Sequence, residues 1–154
     1  MASTRKAPPK FTNRKARYEF EFLEQIEAGI ELSGSEVKSL RAGRATLEDA
    51  YAVIRGMEAF LRNFDISPYE NASTFQHEPK RERRLLLHRR QIKKLIGKVT
   101  QRGFTLVPLE AYFNERGIFK VKIALSKGKN VADKRQSIKD RDQKREMDRA
   151  IRGR

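Results

Sequence analysis

His77 and His88 are the only histidines in the 154-residue chain, and they are the first places to look for acid–base chemistry. A pair such as His88 with Glu82 could serve as general base and acid in phosphodiester cleavage, but no spacing in the sequence sets the two about a phosphate. The chain has no cysteine. It also lacks an HExxH segment and an Asp-rich loop, so a metal has no ligand set. The serines carry no nucleophile-elbow motif, and the Lys127-Gly128-Lys129 run lacks the spacing of a phosphate-cradling loop. These residues predict no enzyme, no cofactor and no metal. His77, in a polar loop, and His88, at the start of a basic segment, read as surface side chains available for RNA contact.

Binding chemistry is better represented. Thirty-five Lys and Arg against 20 Asp and Glu give a net charge of +15, which calls for a polyanionic partner, nucleic acid first. The excess is at the ends. Met1 to Arg17 holds six basic residues and no acid, and Lys127 to Arg154 holds eleven basic and five acidic residues, a net of +6. Candidate stacking aromatics are Tyr18, Phe20, Tyr51, Tyr69, Phe104 and Tyr112, and Lys120 and Lys122 share the solvent side of one strand.

Short strands must position these groups. YEFEF, Tyr18 to Phe22, alternates aromatic and acidic side chains and predicts a strand with Tyr18, Phe20 and Phe22 on one face. AGIELSG, Ala28 to Gly34, predicts a second strand or a bent continuation. A short helix follows, with Ser35 as N-cap and Gly43 as stop. DAYAVIR and MEAFLRNFDIS flank a turn at Arg55-Gly56 as a hairpin, and Tyr69 to Glu82 is a long loop. RRLLLHRRQIKKLIGKV predicts an amphipathic helix beginning near His88 or Arg89, with the three leucines as its buried entry. FTLVPLEAYF and IFKVKIAL make the clearest hairpin, turning at Asn114 to Gly117. About six strands with an inserted helix predict a mainly β fold, a small closed or nearly closed antiparallel barrel.

The terminal segment from Asn130 offers only Val131, Ile138, Met147 and Ile151 for packing. That is too little to offset an ordering cost of about 1–2 kcal/mol per residue, so the tail is expected to be disordered when free. It contains no proline, and Asp140 with Lys144 has the favourable i,i+4 order, so it can fold against a polyanion. Without a long apolar run or an h-region at the N-terminus, the chain reads as a soluble cytoplasmic protein with no membrane partner.

NRKARYEFEF, EAGIELSGSEVKSLRAGRATLEDAY, EAFLRNFDISPY, RRLLLHRRQIKKLIGKV, FKVKIALSKGK and DKRQSIKDRD occur in one order from Asn13 onward. Together they closely resemble the small protein B family, the SsrA-binding proteins of bacterial trans-translation. The resemblance implies an oligonucleotide-binding (OB-type) barrel over residues 13–126, a flexible basic N-terminus over 1–12, and a basic tail over 127–154 that becomes helical on the ribosome. It implies a non-enzymatic adaptor that binds the tRNA-like domain of transfer-messenger RNA (tmRNA, SsrA RNA). Its further partners would be the stalled 70S ribosome and, indirectly through the RNA, elongation factor Tu and alanyl-tRNA synthetase. The family's RNA-binding positions fall on Glu27, Leu86, His88 and Lys120, with His88 where asparagine is common. Asn13, Arg14, Lys15, Arg17, Tyr18 and Phe20 match a further stretch near the RNA. Lys127, Gly128 and Lys129 match the start of the ribosome-engaging tail. Asp133, Lys134 and Arg135 match its DKR motif at the decoding centre and empty mRNA channel, with Ala132 where some relatives have histidine.

Overall fold

The computed structural model describes residues 7–69, 76–100, 104–128, 139 and 141–149. Nine strands and three helices follow in the order β1 (Lys10–Thr12), α1 (Arg14–Glu19), β2 (Phe20–Ile30), α2 (Gly34–Arg41), β3 (Ala45–Thr46), β4 (Tyr51–Arg55), β5 (Glu58–Arg62), β6 (Asp65–Ile66), β7 (Arg83–Leu86), α3 (Arg89–Val99), β8 (Phe104–Phe113) and β9 (Phe119–Gly128). Residues 141–149 are also helical.

All pairings are antiparallel. The main sheet runs β1-β8-β4-β5-β7-β2-β9, and β8 also pairs with β9, so six strands return on themselves as a ring. The seam between β4 and β8 is narrow, a single register pair of Ala52 with Leu106, and beyond it the same edge of β8 is taken by β1. This is the mainly β, nearly closed antiparallel barrel that the strand pattern predicts, with the accessory helices and OB-type architecture that the resemblance implies. Joining β8 to both β4 and β9 reduces the unpaired strand edge open to other chains.

The hairpin over β8 and β9 forms as the alternation predicts: Phe119, Val121, Ile123 and Leu125 are buried and face the core. Its turn is pinned by the Asn114 side chain, which accepts from the backbone N–H groups of Arg116 and Ile118 at 3.0 and 2.9 Å. Inside the barrel, Phe11, Phe64, Phe113 and Phe119 pack ring on ring at 4.9–6.5 Å between centroids, and each such pair adds about 0.5–1.5 kcal/mol beyond its buried area. Ile92 and Leu95 bury the apolar face of α3.

Four local expectations are corrected. The first is at Tyr18 and Glu19, which are helical; the strand begins at Phe20 and runs unbroken to Ile30, with a bulge at Leu23. Asn13 overrides the aromatic alternation by capping α1: its Oδ1 accepts the Ala16 N–H at 3.1 Å and its Nδ2 donates to the Pro108 carbonyl at 3.0 Å. Second, α2 starts two residues before the expected place, after Ser33, whose backbone N–H donates to Glu36 Oε1 at 2.8 Å. Third, MEAFLRNFDIS is divided: Asn63 at φ 60° ends β5, and β6 pairs with β3 in a separate two-stranded sheet. Fourth, the residues before α3 are not a buried helical entry. Arg83 to Leu86 form β7, with Leu85 inside and Leu86 52% exposed.

The reason for β7 is electrostatic. Arg83 and Glu36 are both fully buried and ion-paired, joining α2 to β7. The Arg83 guanidinium also donates to the carbonyls of Phe64 (2.6 Å), Arg81 (3.0 Å), Pro79 (3.1 Å) and Glu78 (3.4 Å). Arg81 adds a second bond to Glu36 at 2.7 Å. Burial would raise the Glu36 pKa, but the donors from Arg81, Ser33 and Arg83 outweigh it and hold the carboxyl at about 2.

Candidate nucleic-acid interface

Cross-strand partners share a face, so the register defines which groups meet on the outside of the barrel. One row runs across five strands: Leu86 opposite Gly29, Gly29 opposite Lys120, Lys120 opposite Tyr112, and Tyr112 opposite Lys10. The adjoining row holds Glu27 opposite Lys122 and Lys122 opposite Glu110. Three of the four expected RNA-binding residues, Glu27, Leu86 and Lys120, therefore occupy neighbouring outer positions. The fourth, His88, is the exposed N-cap of α3, two residues beyond Leu86. The glycine between Leu86 and Lys120 sits at a close approach: a Cβ on Gly29 would lie 3.2 Å from Leu86 Cβ, tight enough that the neighbour would have to give. An apolar side chain thus rests over the backbone of β2 and stays exposed.

The charges in these rows are unequal. Glu110 takes Lys10 at 3.0 Å and Lys122 at 3.2 Å, and its carboxyl is held below the usual range by Lys10, against burial, with help from Lys122. Lys120 has no ion pair among the described residues. Tyr112 Oη donates to Glu27 Oε2, and burial first, then this bond, push the phenol up to about 12. Lys120 is consequently the cation of this face most available to a phosphate.

The second expected group lies on α1 and the start of β2, farther along the face formed by β2, β9 and β8. The bulge at Leu23 shifts the alternation of β2, so Phe22 faces Ser126 and Phe20 faces Gly128, on the side of Lys120 and Lys122. Between them α1 packs on β8, with Ala16, Val107, Ala124 and Ser126 buried beneath. Its exposed side presents Arg14, Lys15 and Arg17, with Tyr18 half-buried. Lys15 pairs with Asp49 at 3.1 Å, which raises its pKa. Asn13 is 1% exposed and its side-chain polar atoms bond to Ala16 and Pro108, so it positions α1, which carries Arg14, Lys15 and Arg17. From Lys120 to Gly128 the strip is about 26 Å long at the usual strand rise.

Helix α3 extends the positive surface with exposed Arg89, Arg90, Lys93 and Lys94. It is clamped to the barrel by Lys94 and Lys98, at 2.9 and 2.5 Å from Glu24 of β2. Hydrogen bonds from Lys94, then Lys98, hold the Glu24 carboxyl at about 2. Lys127 and Gly128 are the last residues of β9, while Lys129, Asp133, Lys134 and Arg135 lie outside the described residues. Arg141, Asp142 and Arg145, in the helical part of the tail, line an open depression together with Arg14, Lys15 and Tyr18.

The histidine expected at the surface of the polar loop is inside. His77 Nε2 donates to the Ile66 carbonyl at 2.9 Å, and its Nδ1 shares a hydrogen bond with Ser35 Oγ, also at 2.9 Å. Glu82 is engaged by Arg55 and, at 3.6 Å, by Arg62. No group of His, Cys, Asp or Glu among the described residues could hold a metal, and no helix among them is long and apolar enough to cross a membrane.

Comparison with known proteins decides the family. The model of the SmpB protein family matches residues 10–153. The chain belongs to the SmpB family. It is 56% identical to the SsrA-binding protein of Desulforamulus reducens over 92% of this chain and 88% of that one. It is 57% identical to the SsrA-binding protein of Symbiobacterium thermophilum over 95% and 92%. A solved chain described as "tmRNA-SmpB: a journey to the center of the bacterial ribosome" superposes with a TM-score of 0.67 at 49% identity, covering 80% of this chain and 86% of that one. The SmpB fold thus brings the expected RNA-binding groups onto one strip. Sequence reasoning missed the contribution of Lys10 and the tie between Tyr112 and Glu27. The turn at Asn114 to Gly117 contained the second signal, since it aligns Phe113 with Phe119 and hence Tyr112 with Lys120.

Proposed function

We propose that the chain is a non-enzymatic adaptor that binds the tRNA-like domain of tmRNA and helps deliver it to stalled ribosomes for trans-translation. The reading is carried by one observation: Glu27, Leu86 and Lys120 meet on an outer strip that continues to Arg14, Lys15, Arg17, Tyr18 and Phe20. Lys120 and α1 supply phosphate contacts, while Leu86, Tyr112 and Phe20 supply apolar surface for unpaired bases. His88 adds a ring that both donates and accepts at the edge of this strip. The tail, from Lys127 and Gly128 through Lys129 to Asp133, Lys134 and Arg135, engages the decoding centre and becomes helical in the empty mRNA channel. Elongation factor Tu and alanyl-tRNA synthetase are reached through the RNA, and the site of action is the cytoplasm.

Both His77 nitrogens and the Glu82 carboxylate are engaged within the fold. A competition titration at physiological salt tests the reading, with a tRNA-like tmRNA fragment against an equal-length unrelated structured RNA. The cognate fragment is expected to win by orders of magnitude, and Lys120→Ala is expected to reduce the slope of log affinity against log salt by about one phosphate contact. Equal competition would reduce the protein to a charge-driven RNA binder. Truncation after Asn130 is expected to leave RNA binding intact and to stop tagging on stalled ribosomes.

A further inference from the structure

Glu27 is an exposed carboxylate on the face proposed to meet RNA, and its surroundings do not neutralise it. The cation directly across from it, Lys122, is bound to Glu110 together with Lys10. What holds Glu27 is a neutral donor, the hydroxyl of Tyr112, on Oε2; Oε1 has no hydrogen bond among the described residues. A phosphate would be repelled here. A base edge that presents hydrogen-bond donors would be accepted, and Lys120 stands beside Tyr112 to take the adjoining phosphate.

Among the four bases only guanine places two donors side by side on its Watson–Crick edge, N1–H and the N2 amino group. Adenine and cytosine each set a ring-nitrogen acceptor beside their amino donor, and uracil flanks its single N–H with two carbonyls. Resting on the RNA-binding reading above, we infer that Tyr112 is a positioning residue that orients Glu27 to accept the Watson–Crick edge of an unpaired guanine, making this spot a base-selective contact within a phosphate-tracking strip. The phenol stays protonated at all working pH values and so remains a donor to the carboxylate. The geometry works through Glu27: the tyrosine ring borders the base, and its hydroxyl fixes the rotamer of the carboxylate.

The test is footprinting of a tRNA-like tmRNA transcript with a glyoxal reagent that modifies guanine N1 and N2, at saturating full-length protein. Wild type is expected to protect at least one unpaired guanine. Tyr112→Phe, which keeps the ring and the fold, and Glu27→Gln are each expected to lose that protection and to bind about threefold to tenfold more weakly. Lys120→Ala is expected to weaken binding while keeping the protection once saturated. Binding by wild type without any protected guanine, or full protection in Tyr112→Phe at saturation, would overturn the inference and leave the adaptor reading standing. Failure of wild type to bind the transcript would overturn both.

Discussion

Replacing Glu36 by glutamine keeps the shape of the side chain and removes the charge that balances Arg83. Both groups are fully buried, so the guanidinium would be left without a counter-ion in the interior. Breaking a buried pair from one side costs about 3–5 kcal/mol. The acid limb gives an independent figure: the gap between 4.5 and about 2, at 1.36 kcal/mol per pH unit, corresponds to about 3 kcal/mol. With a urea dependence of about 2 kcal/mol per molar, Glu36→Gln should lower the unfolding midpoint by about 1.5–2.5 M. The direction with pH follows from the depressed carboxyl. Its contribution is complete above pH 4.5 and is lost as pH falls through about 2, so wild type should weaken in that window and the variant should lack this component. Replacing both Glu36 and Arg83 by methionine should cost less than Glu36→Gln alone, because no charge remains buried. A midpoint shift below about 0.25 M, the size expected for surface changes, or an unchanged acid limb in Glu36→Gln, would refute the reasoning.

Asn13→Ala removes the cap of α1 and the side-chain bond to the Pro108 carbonyl; a loss of about 1–2 kcal/mol in urea unfolding is expected, together with weaker RNA binding as Arg14 and Arg17 lose their support. Gly29→Ala brings a methyl to 3.2 Å from Leu86 Cβ, which is fixed to the backbone and cannot rotate away, so about 1–3 kcal/mol of stability should be lost by thermal melting. Glu24→Gln should cost under about 1 kcal/mol, because the pairs with Lys94 and Lys98 are partly solvated. In wild type this clamp should survive mild acid and be released only as pH falls through about 2, since the folded carboxyl titrates below its ordinary value; a carboxyl NMR titration reads this directly.

The β8 and β9 hairpin and the body of α3 were legible because β9 alternates from Phe119 to Ile123 with period two, and because Ile92 and Leu95 share one face of the helix. The α1 helix was not, because its cap is secured by Pro108, 95 positions away, and no local pattern reports that bond. For β7 the difficulty was similar: a run of arginines and leucines beside a helix reads as its extension, and only Glu36 on another element explains a buried Arg83. The Ser33-x-x-Glu36 spacing did contain the start of α2, and it should outrank the nearer Ser35. The expected site was readable residue by residue through resemblance. Its assembly was not, since the row from Leu86 to Lys10 exists only once five strands are in register.

The strand that leads into the tail is also the strand with most to hold it. β9 is paired along nearly its whole length on both sides, with nine register pairs to β2 and nine to β8, and its last residues are locked to Phe20, Glu21 and Phe104. A pull applied to the tail along the strand axis therefore loads two ladders in shear, so that many hydrogen bonds resist together. At Lys127 and Gly128 the chain is still held by β2 on one side, and at Lys127 by β8 on the other, so a load entering β9 at its end would fall on both ladders along the strand that carries Lys120.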